Sequence, residues 1–135
     1  MKMHQTNKKK LEHFAVAAMS NDRVALESLL HPEFTIHEAE NLPYGGVYRG
    51  VDGWLTLFGR VNSTWADLAI EPLLLIGEAN GDEFGWQMKM RGRSVATGKQ
   101  FETTVFEHWS FRDGKISEVR PYYWDTKLMC TTNSD

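Results

Sequence analysis

The first third of the chain carries hydrophobic residues at the three-to-four-residue spacing of helices. One helical face consists of Leu11, Phe14, Ala15, Ala18 and Met19. Asn21-Asp22 is then predicted to end this helix and to provide the N-cap of a second helix. The short helix that follows has Leu26, Leu29 and Leu30 on one side. We expect His31-Pro32 to end it, because the residue before proline disfavours the α region.

The spacing then changes to a period of two, which is typical of a strand. Phe34, Ile36 and Glu38 alternate with Thr35 and His37. Residues 41–46 are rich in turn formers and predict a loop. A third helix is predicted to begin at Gly50 to Asp52, and its apolar positions are Trp54, Leu57, Phe58 and Val61.

The second half of the chain predicts four long strands joined by tight turns. The strands cover about residues 66–76, 84–91, 101–111 and 115–124. The turns are Asn80-Gly81-Asp82, a turn around Gly98, and Asp113-Gly114. Pro72 must lie at a sheet edge or a bulge, because it has no N–H to donate.

This order of elements predicts one α+β domain over residues 1–135, with helices packed on one face of an antiparallel sheet. No linker or repeat divides the chain. The ends, about residues 1–8 and 128–135, are polar, and we expect them to be loose tails.

The composition narrows the classes of partner and location. The chain has 41% hydrophobic and 24% charged residues and a net charge of −3, so it lacks the positive field that a nucleic-acid backbone requires. The longest apolar run, residues 73–76, is far too short to span a membrane, and residues 1–10 do not form a secretory signal. A single cysteine, Cys130, excludes an intrachain disulfide. A cytoplasmic location is therefore the expectation.

Two glutamates stand out because each lies on an otherwise apolar strand face. Glu38 shares its face with Phe34 and Ile36, and Glu107 shares its face with Val105 and Trp109. A carboxylate in an apolar space is unfavourable unless it is paired, protonated or hydrated. Burial raises its pKa, which suits a general base or a neutral hydrogen-bond donor. Each glutamate could also lie at a strand end, accept a hydrogen bond from a backbone amide, or pair with an arginine.

Four segments resemble ketosteroid isomerases and SnoaL-like polyketide cyclases of the nuclear-transport-factor-2-like (NTF2-like) superfamily. They are residues 29–38, 42–50, 111–116 and 121–125. The resemblance extends from about Leu11 to Leu128. It implies an NTF2-like cone, in which N-terminal helices pack against a strongly curved, mainly antiparallel sheet that encloses a pocket. The superfamily includes isomerases, cyclases, dehydratases, epoxide hydrolases and proteins without catalysis, so the fold alone does not specify the reaction.

The resemblance to the isomerases assigns roles to the same two glutamates. The isomerases' general base falls on Glu38, and their protonated oxyanion-hole acid falls on Glu107. Their oxyanion tyrosine falls on Phe14 and a supporting tyrosine falls on Phe58, and neither phenylalanine can donate a hydrogen bond. Steroid isomerisation is therefore not implied, and Tyr123 is the candidate replacement donor, ahead of Tyr44, Tyr48 and Trp54.

Other members of the superfamily suggest further site residues. The SnoaL-like cyclases use a pocket histidine and aspartate, for which His108 and Asp125 are available here. His108 should point away from Glu107, and Asp125 follows the last strand, where it could also cap a final turn. The epoxide hydrolases need an Asp–Arg–Asp set, whereas Arg91 and Arg93 share the solvated face of their strand.

These patterns predict a small-molecule site without a metal or cofactor. The histidines have no metal-ligand spacing, and His37-Glu38 lacks the second histidine of a metalloprotease motif. Glu38, Glu107 and Asp125 are the candidate catalytic residues. The predicted pocket residues are Phe14, Tyr44, Trp54, Phe58, Trp86, Val105, Trp109 and Tyr123.

Three functions remain open: proton-transfer catalysis on a small apolar molecule by an isomerase, cyclase or lyase, binding without catalysis, and a dimeric scaffold. The resemblance also implies a homodimer through the outer sheet face. The residues predicted on that face are Phe106, His108, Tyr122 and Trp124.

Overall fold

The computed structural model describes residues 5–135 as four helices and six strands. The helices are α1 (Asn7–Met19), α2 (Arg23–Leu29), α3 (Gly50–Thr64) and α4 (Thr126–Thr132). The strands are β1 (Leu30–Glu38), β2 (Gly46–Arg49), β3 (Trp65–Ile76), β4 (Glu83–Ser94), β5 (Gln100–Arg112) and β6 (Lys115–Tyr123).

The six strands form one curled, unclosed sheet in the order β2-β1-β6-β5-β4-β3. All neighbours are antiparallel except β1 and β6, which run parallel. The last strand therefore inserts between the first strand and the rest of the meander. The buried side chains of all six strands face one side, where α1 and α3 cover them. The architecture confirms the predicted α+β, NTF2-like class.

The N-terminal helix is held more firmly than the sequence indicates. Thr6 caps α1 by accepting the N–H of Lys9. Lys8 N–H donates to the carbonyl of Ala79, and Asn7 Nδ2 donates to that of Gly81, at 2.9 Å each. Residues 7 and 8 thus belong to a helix docked on the β3–β4 turn rather than to a loose tail, whereas residues 1–4 of the predicted tail lie outside the described residues.

Three predictions for the N-terminal half of the chain were wrong or incomplete. Helix α2 ends at Leu29, and β1 begins at Leu30, so His31 and Pro32 lie in the strand, next to a shift in its register with β6. The short strand β2, which pairs with β1, was not predicted. Met19, placed on the buried face of α1 by its spacing, is exposed, because the helix ends there without covering it.

The turns and the edge proline match the prediction. Asp113 and Gly114 have φ values of 53° and 73°, as the type I′ turn of a two-residue hairpin requires. Pro72 lies on β3, which forms the sheet edge, and next to a shift in the β3–β4 register. Both positions accommodate a residue that cannot donate to the ladder.

The expected loose tail over residues 128–135 is wrong for most of its length. Residues 126–132 form α4, whose Met129 is fully buried. Asp125 caps this helix by accepting the N–H of Leu128 at 2.9 Å. The Ser94 hydroxyl donates to Asn133, and the Thr97 hydroxyl donates to the Thr132 carbonyl. A polar sequence concealed these contacts because only one side of a two-turn helix is buried.

Within residues 5–135, the structure contains no helix with the length and apolar character needed to span a membrane.

Candidate functional site

The two glutamates predicted from strand alternation lie on the same face of the sheet, two strands apart. Ile36 is level with Val119 of β6, and continuing this register by two residues places Glu38 level with Pro121. Pro121 in turn pairs with Glu107 of β5. Two strand spacings separate the Cα atoms by roughly 9–10 Å. The proline between the two glutamates lies where the pairing of β6 with β1 ends.

Glu38 is buried and has one strong hydrogen-bond partner. Its side chain is 7% exposed, and the hydroxyl of Tyr123 donates to Oε2 at 2.6 Å. Burial raises the pKa of Glu38 to about 7, although the bond from Tyr123 acts in the opposite direction by stabilising the carboxylate. Glu38 therefore titrates near neutral pH, where a general base is most effective.

Glu107 is desolvated as well and holds its proton more tightly. Burial and the nearby charge of Glu38 raise its pKa to about 8, and the one donor to it within residues 5–135 is the indole N–H of Trp109, at 3.3 Å from Oε1. The effect of Glu38 on Glu107 shows that the two carboxyl groups share one electrostatic environment. Glu107 nevertheless keeps part of its surface accessible, as does Tyr123. Both are therefore half-buried rather than enclosed in the core.

A buried hydrogen bond joins Tyr44 to Trp65 close to Tyr123. Tyr44 is 1% exposed, and its hydroxyl accepts the indole N–H of Trp65 at 2.9 Å. Burial raises the pKa of both tyrosines well above the usual phenol range. Trp65 was not among the predicted site residues. The sequence offers only a weak signal for it, which is that a buried indole N–H needs an acceptor. Nothing in the sequence identifies Tyr44 as that acceptor, because it lies 21 positions away.

Aromatic side chains from four elements line the helix-covered side of the sheet. Phe14 of α1 contacts Trp54 of α3 and Trp109 of β5 edge-on, with ring centroids 5.1 and 5.2 Å apart. Trp109 also lies next to Trp86, and Trp54 lies next to Phe58. The structure thus brings together five of the predicted pocket residues into one apolar wall beside Glu107.

Two buried polar atoms near this wall have no hydrogen-bond partner within the described chain. They are Nε1 of Trp54 and Oγ1 of Thr103. Thr103 and Glu107 flank Val105, a predicted pocket residue that is 4% exposed and pairs with Tyr123. An unpaired buried donor is unfavourable by about 1–3 kcal/mol, so the indole of Trp54 is available to a ligand acceptor.

The remaining predicted site residues are placed elsewhere. Asp125 is exposed and caps α4, and no contact joins it to either glutamate. His108 points to the opposite sheet face and bonds Glu83 at 2.8 Å. Arg93 pairs with the exposed Asp67, and Arg91 is exposed. The structure therefore does not assemble the histidine–aspartate pair or the Asp–Arg–Asp set.

Two surface clefts are separate from the glutamate pair. One, of about 360 Å³, is lined by Lys89, Glu102, Thr103, Thr104, Trp124, Asp125 and Leu128. The other, of about 650 Å³, lies across β3, β4 and the start of β5. The second reaches the sheet edge at β3, and neither is lined by Glu38 or Glu107. Across residues 5–135, no three side chains of the metal-binding types converge, and the absence of a metal stays a prediction.

The sequence profile of the SnoaL-like domain family matches residues 11–119. The chain belongs to this family. No curated protein sequence matches the chain.

Solved structures show the same fold at low sequence identity. An NTF2-like protein from Burkholderia thailandensis has a TM-score of 0.87 at 23% identity, covering 98% of this chain and 100% of its own. A protein of ketosteroid isomerase-like fold from Catenulispora acidiphila, solved with trimethylamine, has a TM-score of 0.73 at 14% identity, with 92% of each chain covered. IdmH of Streptomyces antibioticus, a proposed polyketide cyclase, has a TM-score of 0.69 at 24% identity, covering 93% and 96%.

Proposed function

We propose that this protein binds a small apolar molecule, one that carries a carbonyl group or an aromatic ring, on the helix-covered face of its sheet and catalyses proton transfer on it. The reaction is of the isomerase, cyclase or lyase type. Glu38 is the base, and Glu107 is the protonated hydrogen-bond donor. The likeness to a proposed polyketide cyclase and to a ketosteroid isomerase-like fold agrees with this class of chemistry.

One observation carries the proposal: two carboxyl groups lie on one apolar sheet face with no basic partner among residues 5–135. A structural ion pair would supply an arginine or lysine, and a surface role would leave both groups solvated. Instead, burial raises the pKa of Glu38 to about 7 and, together with the charge of Glu38, that of Glu107 to about 8. Two titratable groups whose pKa values are displaced in this way can serve as base and acid in one reaction.

The arrangement supports a simple proton-transfer cycle. The Glu38 carboxylate removes a proton from the carbon next to a carbonyl group, and the negative charge passes to the carbonyl oxygen. The protonated Glu107 donates a hydrogen bond to that oxygen, and the Trp54 indole offers a second donor. Glu38 then returns its proton to another carbon of the delocalised system. Tyr123 donates to Glu38 and therefore positions the base rather than the oxyanion.

Deuterium incorporation into an aromatic ketone tests this function without knowledge of the natural substrate. With 2-tetralone in D₂O, NMR should show exchange at the carbon next to the carbonyl that is faster with protein than in buffer alone. Glu38→Gln should reduce the catalysed rate by a factor of about 10²–10⁴, the usual contribution of a general base. Glu118→Gln, at a half-buried position of β6 that faces His37, is the matched control and should leave the rate unchanged. Equal rates for wild type and Glu38→Gln would refute the catalytic role.

Binding without turnover is the second candidate function. Phe14 and Phe58 stand at positions that resemble tyrosines of the isomerases, and both contact Trp54, so this wall is apolar and offers few donors to an anion. A structural neighbour was solved with trimethylamine, which shows that a member of this fold can hold a small organic molecule. Quenching of tryptophan fluorescence by 2-tetralone that is unaffected by Glu38→Gln, together with no deuterium exchange, would favour this alternative.

A further inference from the structure

The larger of the two surface clefts has a charged lining and is separate from the glutamate pair. It has a volume of about 650 Å³ and lies across β3, β4 and the start of β5, where β3 forms the edge of the sheet. Its polar lining residues are Asp67, Arg91, Arg93, Gln100 and Glu102. A ligand held in this cleft would therefore occupy a second site, apart from the proposed proton-transfer centre.

A β-bulge in the edge strand shapes one wall of this cleft. Ala66 lies opposite Arg93. Ala69 lies opposite Arg91, so three steps along β3 match only two steps along β4. The bulged stretch contains Asp67, whose φ of 53° is a left-handed conformation that aspartate tolerates better than most residues. Bulges redirect side chains, and here the carboxylate of Asp67 reaches Arg93 on the neighbouring strand.

The carboxylates of the cleft are already paired, whereas one of its arginines is not. Arg93 donates from Nε and Nη2 to Oδ2 of Asp67, at 3.3 and 3.1 Å. Glu102 pairs with Lys89 at 3.4 Å. Arg91 is exposed and forms no ion pair or side-chain hydrogen bond within residues 5–135. The cleft therefore keeps one uncompensated positive charge, although the whole chain has a net charge of −3.

The two arginines are spaced to act together on one ligand. Residues two apart on a strand point to the same side, so the side chains of Arg91 and Arg93 leave one face of β4 about 7 Å apart. Asp67 uses only Nε and Nη2 of Arg93, which leaves the N–H groups of Nη1 available. Gln100, which is paired with Arg93 in the β4–β5 ladder, brings a side-chain amide to the same cleft.

We propose that this cleft binds a small organic dianion, either a dicarboxylate or a phosphate ester, through Arg91 and Arg93. A guanidinium group presents its N–H donors in a planar fork that matches carboxylate and phosphate oxygens, so both kinds of ligand share one recognition chemistry. Arg91 supplies the unpaired charge, and Asp67 holds the guanidinium of Arg93 in place. The site takes no part in the proton transfer at Glu38.

Titration of the wild-type protein with three probes at low ionic strength tests this site. The probes are succinate, inorganic phosphate and acetate, and ¹H–¹⁵N spectra follow the Nε–H of Arg93 and the backbone amide of Gly92, which lines the cleft. Both signals should shift and saturate with succinate or phosphate. Acetate should bind about tenfold more weakly or worse, because its single carboxylate forfeits charge-assisted bonds to one arginine. Tighter binding of succinate assigns the site to dicarboxylates, and tighter binding of phosphate assigns it to phosphate esters.

Arginine substitutions separate a built site from general attraction of anions. Arg91→Gln should weaken binding of the tighter probe by about tenfold or more. Arg49→Gln is the matched control, since it removes the same charge from an exposed position on β2, at the opposite edge of the sheet, and should leave binding unchanged. Glu38→Gln should also bind as the wild type does. Shifts that grow without saturating, or equal losses in Arg91→Gln and Arg49→Gln, would overturn the proposed site.

Discussion

Glu38 and Glu107 are identical residues on one sheet face, yet their immediate partners differ. Glu38 accepts a 2.6 Å bond from a phenol, whereas Glu107 accepts a 3.3 Å bond from an indole and also senses the charge of Glu38. Both lose hydration on folding, which raises both pKa values. The difference between their pKa values therefore depends on these hydrogen bonds and on the charge that Glu38 places near Glu107, and conservative substitutions can measure it.

The reaction rate should depend on pH as a bell-shaped curve. The proposed reaction requires an ionised Glu38 and a protonated Glu107, so its rate should rise as pH passes through about 7 and fall above about 8. The rise and the fall of this curve report apparent pKa values of the two glutamates as a coupled pair, not of either residue alone. Measuring 2-tetralone exchange from pH 5 to 10 checks this shape. Glu107→Gln should abolish the fall at high pH, because an amide donates at every pH, and persistence of the fall would assign it to another group.

Protein stability should decrease as pH rises through neutrality. The pKa values of both glutamates are higher in the folded chain than the ordinary 4.5, so the folded state binds more protons than the unfolded state between about pH 4.5 and 8. The contribution of the two glutamates to the free energy of unfolding is therefore most favourable below pH 4.5 and is lost as pH rises through about 7 and 8. At about 1.4 kcal/mol per pKa unit, the loss is on the order of several kcal/mol.

Urea unfolding at pH 5, 7 and 8.5 measures this loss. Glu107→Gln should flatten the pH dependence and be more stable than wild type at pH 8.5. The exposed substitution Glu102→Gln should follow the wild-type curve. A midpoint that is the same at pH 5 and pH 8.5 would contradict the expected burial of the two acids.

Sequence reasoning reached the two glutamates but not the buried hydrogen bond between Trp65 and Tyr44. A carboxyl group in an apolar period-two pattern can be recognised because alternation fixes which residues share a face. Trp65 could not be assigned in this way. It lies at a helix–strand junction, where neither period applies, and its partner Tyr44 lies in a loop whose path no local pattern specifies.

At the scale of elements, Asp125 is the N-cap of helix α4. The carboxylate accepts the N–H of Leu128, and the helix that follows buries Met129 completely. The sequence placed Asp125 among the catalytic residues because of its position after the last strand, a position that also suits an N-cap. The structure shows the cap geometry, and the catalytic role stays a prediction.

Two substitutions separate capping from catalysis at Asp125. Asp125→Ala should reduce the free energy of unfolding by about 0.5–2 kcal/mol, whereas Asp125→Asn should retain most of the stability because asparagine also caps helices well. Neither should lower the 2-tetralone exchange rate measured well below the melting temperature. A large loss of exchange in Asp125→Asn, with stability intact, would show that the carboxylate takes part in the chemistry.

The longer elements were the most predictable from the sequence. Helices α1 and α3 and strands β3 to β6 each contain several periods of their pattern, and the structure places them within a few residues of the predicted bounds. The four-residue β2 has too few positions to define a period, and α4 was missed because its buried positions, Met129 and Thr132, include only one apolar residue. Strand β1 begins at Leu30, earlier than predicted, because tertiary pairing with β6 extends it past Pro32.

At the scale of the whole molecule, the outer sheet face is the expected dimer interface. Phe106 and Tyr122 pair across β5 and β6 and are 40% and 56% exposed, and Trp124 is 85% exposed. A side chain at Gly85 would collide with the Phe106 ring, so this glycine lets the ring lie flat across β4. A contiguous exposed aromatic patch of this kind is typical of a protein–protein contact.

We predict a homodimer through this face, and light scattering tests it. The wild type should have twice the mass of one chain, and the double variant Tyr122→Asp with Trp124→Asp should have the mass of a single chain. Val24→Asp alters an equally exposed apolar residue on α2 and should leave the dimer intact. A monomeric wild type, or a dimer that survives the double substitution, would exclude this interface.

The insertion of β6 between β1 and β5 has a consequence for the order of events during synthesis. The hairpins from β3 to β5 can form as soon as their residues are available, but Glu38 meets Tyr123 only when almost the whole chain has been made. Pairing so distant in sequence is slow to form. The proposed proton-transfer centre and the complete fold should therefore mature in one late, cooperative step, and a nascent chain that ends before residue 123 should not catalyse 2-tetralone exchange.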